Sequence, residues 1–210
     1  AYVLRQAYQS FPLNTVHILG VNAEENANQS HVAIYCDGHY FIGTDNGIFS
    51  LLFDKIPDKI YDLSNIRQES DLLIFPMKDI FVKAACHLAR GGTPEVLGTK
   101  QESIKKVDTI RPVFKDQTLH GTVVYVDFYG NSVVNISKQF FNDSVKGKKF
   151  AIEFSGEEIT EISQRYNESA NGNIIALFNS AGLLEIAQVQ DNVSRLYNLT
   201  VGSAVMVRMM

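Results

Sequence analysis

The 210-residue chain has no tryptophan, only two cysteines and no long uninterrupted apolar stretch. Nothing in it approaches the ~18 apolar residues a membrane-crossing helix needs, so no membrane partner is expected. Ala1 to Phe11 lack a basic stretch followed by an apolar one, so no secretory leader is visible. Cys36 and Cys86 lie far apart, with neither CxxC nor Cys/His spacing. They are expected to be buried free thiols in a reducing cytoplasm, and no metal site is expected. The five histidines show no ligand spacing among themselves and read as structural. Basic density is also missing: the net charge is −4, and Lys105-Lys106 and Lys146 to Lys149 are short solvated loops, which argues against a nucleic-acid partner. The chain contains no GxGxxG opening a helix, no GxxxxGK[ST], no GxSxG and no HExxH.

With 45% hydrophobic residues, the sequence holds enough apolar material for a packed core. Tyr2, Val3, Leu4, Ala7 and Tyr8 have helical spacing, ended by Pro12. Thr15 to Val21 reads as a buried strand, Asn22 to Ser30 as a polar loop, and His31 to Cys36 as a strand. Asp37-Gly38 is a two-residue hairpin signal leading into His39 to Gly43. Thr44-Asp45-Asn46-Gly47 is a turn, followed by a helix or strand end at Ile48 to Phe53. Lys78 to Arg90 reads as an amphipathic helix with Phe81, Ala84, Ala85 and Leu88 on one face, closed by Gly91-Gly92.

Thr93 to Thr118 reads as the connection between domains. Short β-rich runs then follow at Gly121–Asp127, Ser132–Ile136, Lys149–Phe154, Ile174–Phe178, Leu183–Gln188 and Ala204–Arg208. The expected architecture is an α/β domain over residues 1–105 and a small all-β barrel over 106–210.

Three segments carry chemistry or tight turns. Val126 to Asn131 (VDFYGN) sets a carboxylate, a glycine turn and an amide close together, which suits an amine and a heteroaromatic edge. An ordinary Asp/Asn β-turn explains the same spacing. Phe178 to Ala187 (FNSAGLLEIA) reads as strand, polar turn, strand. The backbone N–H groups of such a turn can hold a carboxylate, but a plain hairpin is the simpler local explanation. His39 to Ser50 (HYFIGTDNGIFS) signals a turn alone.

Together and in this order, GHYFIGTDNGIFSL, FPMKDIF with AACHLARGG, VDFYGN and NSAGLLEIA resemble the S-adenosylmethionine (SAM) hydroxide adenosyltransferase family and its relatives fluorinase and chlorinase. The resemblance spans nearly the whole chain. It implies an α/β domain followed by a β-barrel, assembly as a homotrimer, and SAM as substrate, held between neighbouring subunits, with no separate cofactor. The implied reaction is displacement at the ribose C5′, with methionine leaving and water or halide entering. By resemblance, Asp127 contacts the methionine ammonium, Asn131 the adenine edge and Ser180 the methionine carboxylate. Phe75 packs against ribose or base, and Tyr166 stacks on adenine. Core packing is the alternative for both aromatics.

The positions of the family's water-handling Asp, Arg and His are substituted. They fall at Asn22, at Gln29 or Ser30, and at Pro76. Asn22 cannot act as a base, and Pro76 has neither a titratable side chain nor an N–H. Glu24 and Glu25 could supply a carboxylate from a shifted position, or be solvated loop acids. The family's N-terminal strand, with its acidic contacts to ribose and methionine, has no counterpart in these residues. Met77 stands where fluorinase has a small hydroxyl residue, so no halide site is expected. Three readings follow: an adenosine-forming SAM hydrolase, a SAM- or adenosine-binding protein without turnover, and a structural oligomer without a small ligand.

Overall fold

A computed structural model describes residues 1–24, 29–68 and 74–210, with side chains omitted at 67 and 68. The chain divides into two compact units, Ala1–Thr109 and Ile110–Met210.

The first unit runs α1 (Tyr2–Ala7), a 3-10 turn (Tyr8–Ser10), β1 (Val16–Leu19), β2 (His31–Cys36), β3 (His39–Thr44), α2 (Ile48–Leu52), β4 (Lys59–Asp62) and α3 (Ser64–Gln68). A π turn (Met77–Phe81), α4 (Val82–Ala89) and a 3-10 turn (Pro94–Val96) complete it. The sheet order is β1-β3-β2-β4, with β1 parallel to β3 and the other pairs antiparallel. Asp37 and Gly38 take φ of 51° and 80°, the paired positive values of the tight hairpin turn read from that dipeptide. β1 is shorter than the run read from Thr15 to Val21, because the chain leaves the β3 ladder after Leu19.

The helix expected over Lys78 to Arg90 opens with the π turn. The Phe75 carbonyl accepts from both Lys78 and Asp79 N–H, each at 2.9 Å. Pro76 sits where a helix start leaves an N–H without an intrahelical acceptor, so the missing proline donor is harmless there. Phe81, Ala84 and Leu88 are buried on one face of the helix as expected. Cys86 lies off that stripe and is exposed, which corrects the expectation of two buried thiols. Cys36 is fully buried, and burial beside the Asp37 charge pushes its thiol up to about 12. A thiol reagent at pH 8 is therefore expected to modify Cys86 alone in the native protein and both cysteines in denaturant, as counted by absorbance.

The stretch from Thr93 is not a free connection. Leu97 is fully buried, and Thr99 N–H donates to Asp62 Oδ1 at 2.9 Å. Further on, Lys105 N–H donates to the Asp45 carboxylate at 2.9–3.0 Å, and Val107 N–H to Ser50 Oγ at 3.0 Å. Burial raises the Asp45 pKa, partly offset by the Lys105 amide. These backbone donors, invisible as sequence pattern, hold the stretch up to Thr109 on the first unit.

The second unit contains β5 (Val113–Lys115), β6 (Thr118–Val126), β7 (Ser132–Ser137), α5 (Lys138–Val145), β8 (Phe150–Phe154) and β9 (Glu157–Ile159). A 3-10 turn (Tyr166–Glu168), β10 (Ile174–Phe178), β11 (Leu183–Gln188), α6 (Val193–Tyr197) and β12 (Ala204–Met209) follow. The antiparallel sheet runs β10-β11-β7-β6-β12-β8-β9, with β5 added on β6. Cα atoms of β9 and β10 come within 8 Å, so the sheet curls nearly into a barrel. Strict alternation along β12 points Val205, Val207 and Met209 inward, where they meet Leu119, Ile136, Ile152 and Ile186. Each such buried aliphatic side chain contributes roughly 1.5–3 kcal/mol. The unit is not purely β: α5 is capped by Ser137, whose Oγ accepts Phe140 N–H, and α6 by Asn192, whose side chain accepts Arg195 N–H.

Candidate functional site

The residues named from sequence fall into two sets. Asn22, Gln29, Phe75 and Pro76 lie in the first unit, and Asp127, Asn131, Tyr166 and Ser180 in the second.

In the first unit, Asn22 follows β1, exposed and with φ of 47°. Gly20 packs tightly on the helix start: a Cβ there would lie 2.7 Å from Met77 Sδ. The end of β1 and the segment Phe75-Pro76-Met77 thus meet at one edge of the sheet. Pro76 is buried there, whereas Phe75 is 68% exposed, so core packing does not account for Phe75. Gln29 is half-buried, Glu24 is exposed, and Glu25 lies outside the described residues. His31, read as structural, is buried, and its Nε2 lies 2.7 Å from the Ala23 carbonyl. A carbonyl requires a donor, so Nε2 carries a proton, and Nδ1 has no hydrogen-bond partner among the described residues.

In the second unit, VDFYGN forms a closed turn between β6 and β7. Asp127 N–H donates to the Asn131 carbonyl at 3.0 Å, and Gly130 N–H to the Asp127 carbonyl at 3.1 Å. Asp127 Oδ1 accepts Asn131 N–H at 2.8 Å, and Oδ2 accepts Asn131 Nδ2 at 2.9 Å. The carboxylate and the amide are therefore fixed as one piece, each with hydrogen-bonding capacity left over. Gly130 carries φ of 88°, and its carbonyl accepts Ser194 N–H at 3.0 Å, docking the turn on the start of α6.

Beside this turn lies a concave surface of about 900 Å³. Asp127, Asn131 and Tyr166 all line it, with Tyr129, Gln188 and Asp191 among the other walls. Its twelve lining side chains are two carboxylates, six amides, two tyrosines, a serine and a valine. Tyr166 is 48% exposed, so it too is a wall residue and not core. Ser180 lies outside this lining, exposed in the β10–β11 turn. The Ala181 and Leu183 amides there donate to Asn179 Oδ1 at 3.0 and 3.3 Å, and Gly182 N–H donates to the Asn179 carbonyl at 2.9 Å. Those three N–H groups are engaged within the hairpin, in line with the plain-hairpin reading of the segment.

One residue of the site had no sequence signal. Glu185 sits within the apolar strand β11, only 5% exposed. It accepts from Tyr166 Oη at 2.6 Å and from Asn179 Nδ2 at 2.9 Å. Among the described residues, no three His, Cys, Asp or Glu side chains group as metal ligands. No described helix is long and apolar enough to cross a membrane.

The SAM hydroxide adenosyltransferase N-terminal domain profile matches residues 1–98, and the C-terminal domain profile matches residues 121–206. The chain belongs to the SAM hydroxide adenosyltransferase family. Among curated proteins it is similar to the (R)-S-adenosyl-L-methionine hydrolase of Methanocaldococcus jannaschii, 26% identical over 95% of this chain and 73% of the relative. The enzyme of the same name from Thermus thermophilus is 28% identical over 89% of this chain and 73% of its own length.

Two solved structures share the fold. One is an uncharacterized conserved protein from Thermotoga maritima, with a TM-score of 0.87, 22% identity and coverage of 99% of this chain and 82% of that one. The other is a conserved hypothetical protein from Thermus thermophilus, with a TM-score of 0.73, 24% identity and coverage of 100% and 80%. In this member of the family, the concave surface gathers Asp127, Asn131 and Tyr166.

Proposed function

We propose that this chain binds SAM and hydrolyses it to adenosine and methionine, with the purine end of the ligand in the cavity of the second unit. The cavity's composition carries this reading. It offers tyrosine faces and amides for a heteroaromatic base, and two carboxylates with no Lys, Arg or His among the lining residues. Such walls favour a neutral nucleoside or a cationic sulfonium and disfavour a phosphate. Tyr166 stacks on the base, Asn131 reads its edge and Asp127 holds the methionine ammonium, with Ser180 near the carboxylate. Phe75 packs against the ribose or base in this reading, as the family resemblance implies.

In the reaction, a water oxygen forms the bond to C5′ as the C5′–S bond breaks, and its proton passes to solvent. Alignment and desolvation of that water supply the rate in place of a strong base. SAM is the substrate, and no cofactor takes part. A homotrimer with ligand held between subunits, a cytoplasmic location and the absence of a nucleic-acid or membrane partner complete the proposal.

Incubation with SAM, followed by chromatography, is expected to yield adenosine and methionine in equal amounts above the uncatalysed background. The second reading, binding without turnover, is favoured by Asn22, Gln29 and Pro76. Calorimetric binding of SAM and adenosine with no product would select it, and absence of binding would defeat both. Adenosine is also expected to bind at least about tenfold more tightly than its 5′-monophosphate, because the added charge enters beside Asp127 and Asp191.

A further inference from the structure

Glu185 is a carboxylate set inside a strand, opposite Leu177 on β10 and Val133 on β7. It is 5% exposed, and among the described residues no cation forms an ion pair with it. Both oxygens are satisfied by neutral donors, Tyr166 Oη at 2.6 Å and Asn179 Nδ2 at 2.9 Å. A buried charge held this way adds little net stability over an apolar pair of the same shape, because desolvation offsets most of the gain.

The arrangement does fix geometry. Tyr166 is tied down at its hydroxyl while its ring faces the cavity. Asn179 is tied at its Nδ2, and its Oδ1 organises the turn amides of Ala181 and Leu183 around Ser180. A wall residue, Tyr166, and the 179–183 turn, which lies outside the lining, thus share one carboxylate.

We propose that Glu185 is a positioning residue that locks the Tyr166 ring as the platform for the base and couples it to the 179–183 turn. This rests on the reading of the cavity as a nucleoside site. Leucine at 185 places an apolar side chain in the strand and accepts neither bond, so both links are lost, whereas glutamine could keep both, because the Tyr166 hydroxyl can also accept. Phenylalanine at 166 keeps the ring and removes the tether.

The test is a double-mutant cycle in adenosine affinity with Glu185→Leu and Tyr166→Phe, together with amide NMR of each variant. Each single change is expected to weaken adenosine binding roughly 5- to 10-fold, and the double variant no more than the worse single one. Tyr166→Phe is also expected to shift the Ala181 and Leu183 amide signals, although neither residue contacts position 166 in sequence. A general loss of folding would instead disturb amides throughout the second unit. Additive losses, with unmoved turn amides, would overturn the proposal. Failure of the unaltered protein to bind adenosine would defeat the nucleoside reading. The NMR arm then decides the coupling alone, shifted turn amides supporting it and unmoved ones rejecting it.

Discussion

Asp127→Asn is expected to lower affinity for SAM by roughly 10- to 100-fold while costing adenosine about fivefold or less. The difference follows from what each ligand carries. SAM has an ammonium group, and a hydrogen bond between two opposite charges contributes about 1.5–3 kcal/mol, most of which vanishes when the carboxylate becomes an amide. Adenosine has no such group. It feels only the rearrangement of the turn, where the new Nδ2 meets Asn131 Nδ2 in place of the 2.9 Å bond present now. Flipping the Asn131 amide relieves that clash and disturbs the base edge slightly. The Asn131 N–H retains its acceptor, since asparagine keeps one side-chain oxygen. Calorimetry with both ligands checks this. Equal losses for SAM and adenosine would mean that Asp127 acts by closing the turn and touches no ammonium.

The difference between what this sequence discloses and what it conceals has a physical basis. The strands Ile174–Phe178 and Leu183–Gln188 were legible to the residue because both are apolar runs bounded by turn residues. The Asp37-Gly38 hairpin was legible because few dipeptides accept two positive φ values. By contrast, β4 is four residues, two of them charged, and its strand state comes from pairing with β2. α5 offers only Phe141 and Val145 as a buried stripe, and β9 is a three-residue strand paired to β8. Tertiary contacts decide such elements, and propensity says little about them.

The same distinction runs through the site. Asp127 and Asn131 are four apart and bond each other, so the motif contains its own geometry. Glu185 reaches Tyr166 across nineteen residues and Asn179 across six, so no window of sequence displays the cluster. Asn22, Gln29 and Pro76 were legible as identities alone. Their surroundings, including His31, whose Nε2 meets the Ala23 carbonyl, depend on folding.

Gly130→Ala is expected to destabilise the second unit by on the order of 3 kcal/mol, lowering its melting temperature by roughly 10–20 °C. Two contributions add. The backbone at φ 88° is strained for any residue with a Cβ. In addition, a Cβ at this position would collide with the Asn192 side-chain amide. Neither partner can retreat cheaply. The Gly130 carbonyl is held by Ser194 N–H at 3.0 Å, and Asn192 Oδ1 caps α6 through Arg195 N–H at 2.7 Å. Moving Asn192 aside forfeits the cap, worth about 0.5–2 kcal/mol. Gly182 supplies the control. Its φ of 69° carries the same kind of backbone strain, but a Cβ there meets nothing within 4 Å. Gly182→Ala should therefore lose only about 1 kcal/mol, and the gap between the two variants in denaturant titration measures the collision with Asn192. Because Asn192 and Asp127 both line the cavity, Gly130→Ala should also weaken adenosine binding. Equal stability losses for the two glycines would mean that the turn yields freely and that α6 does not brace it.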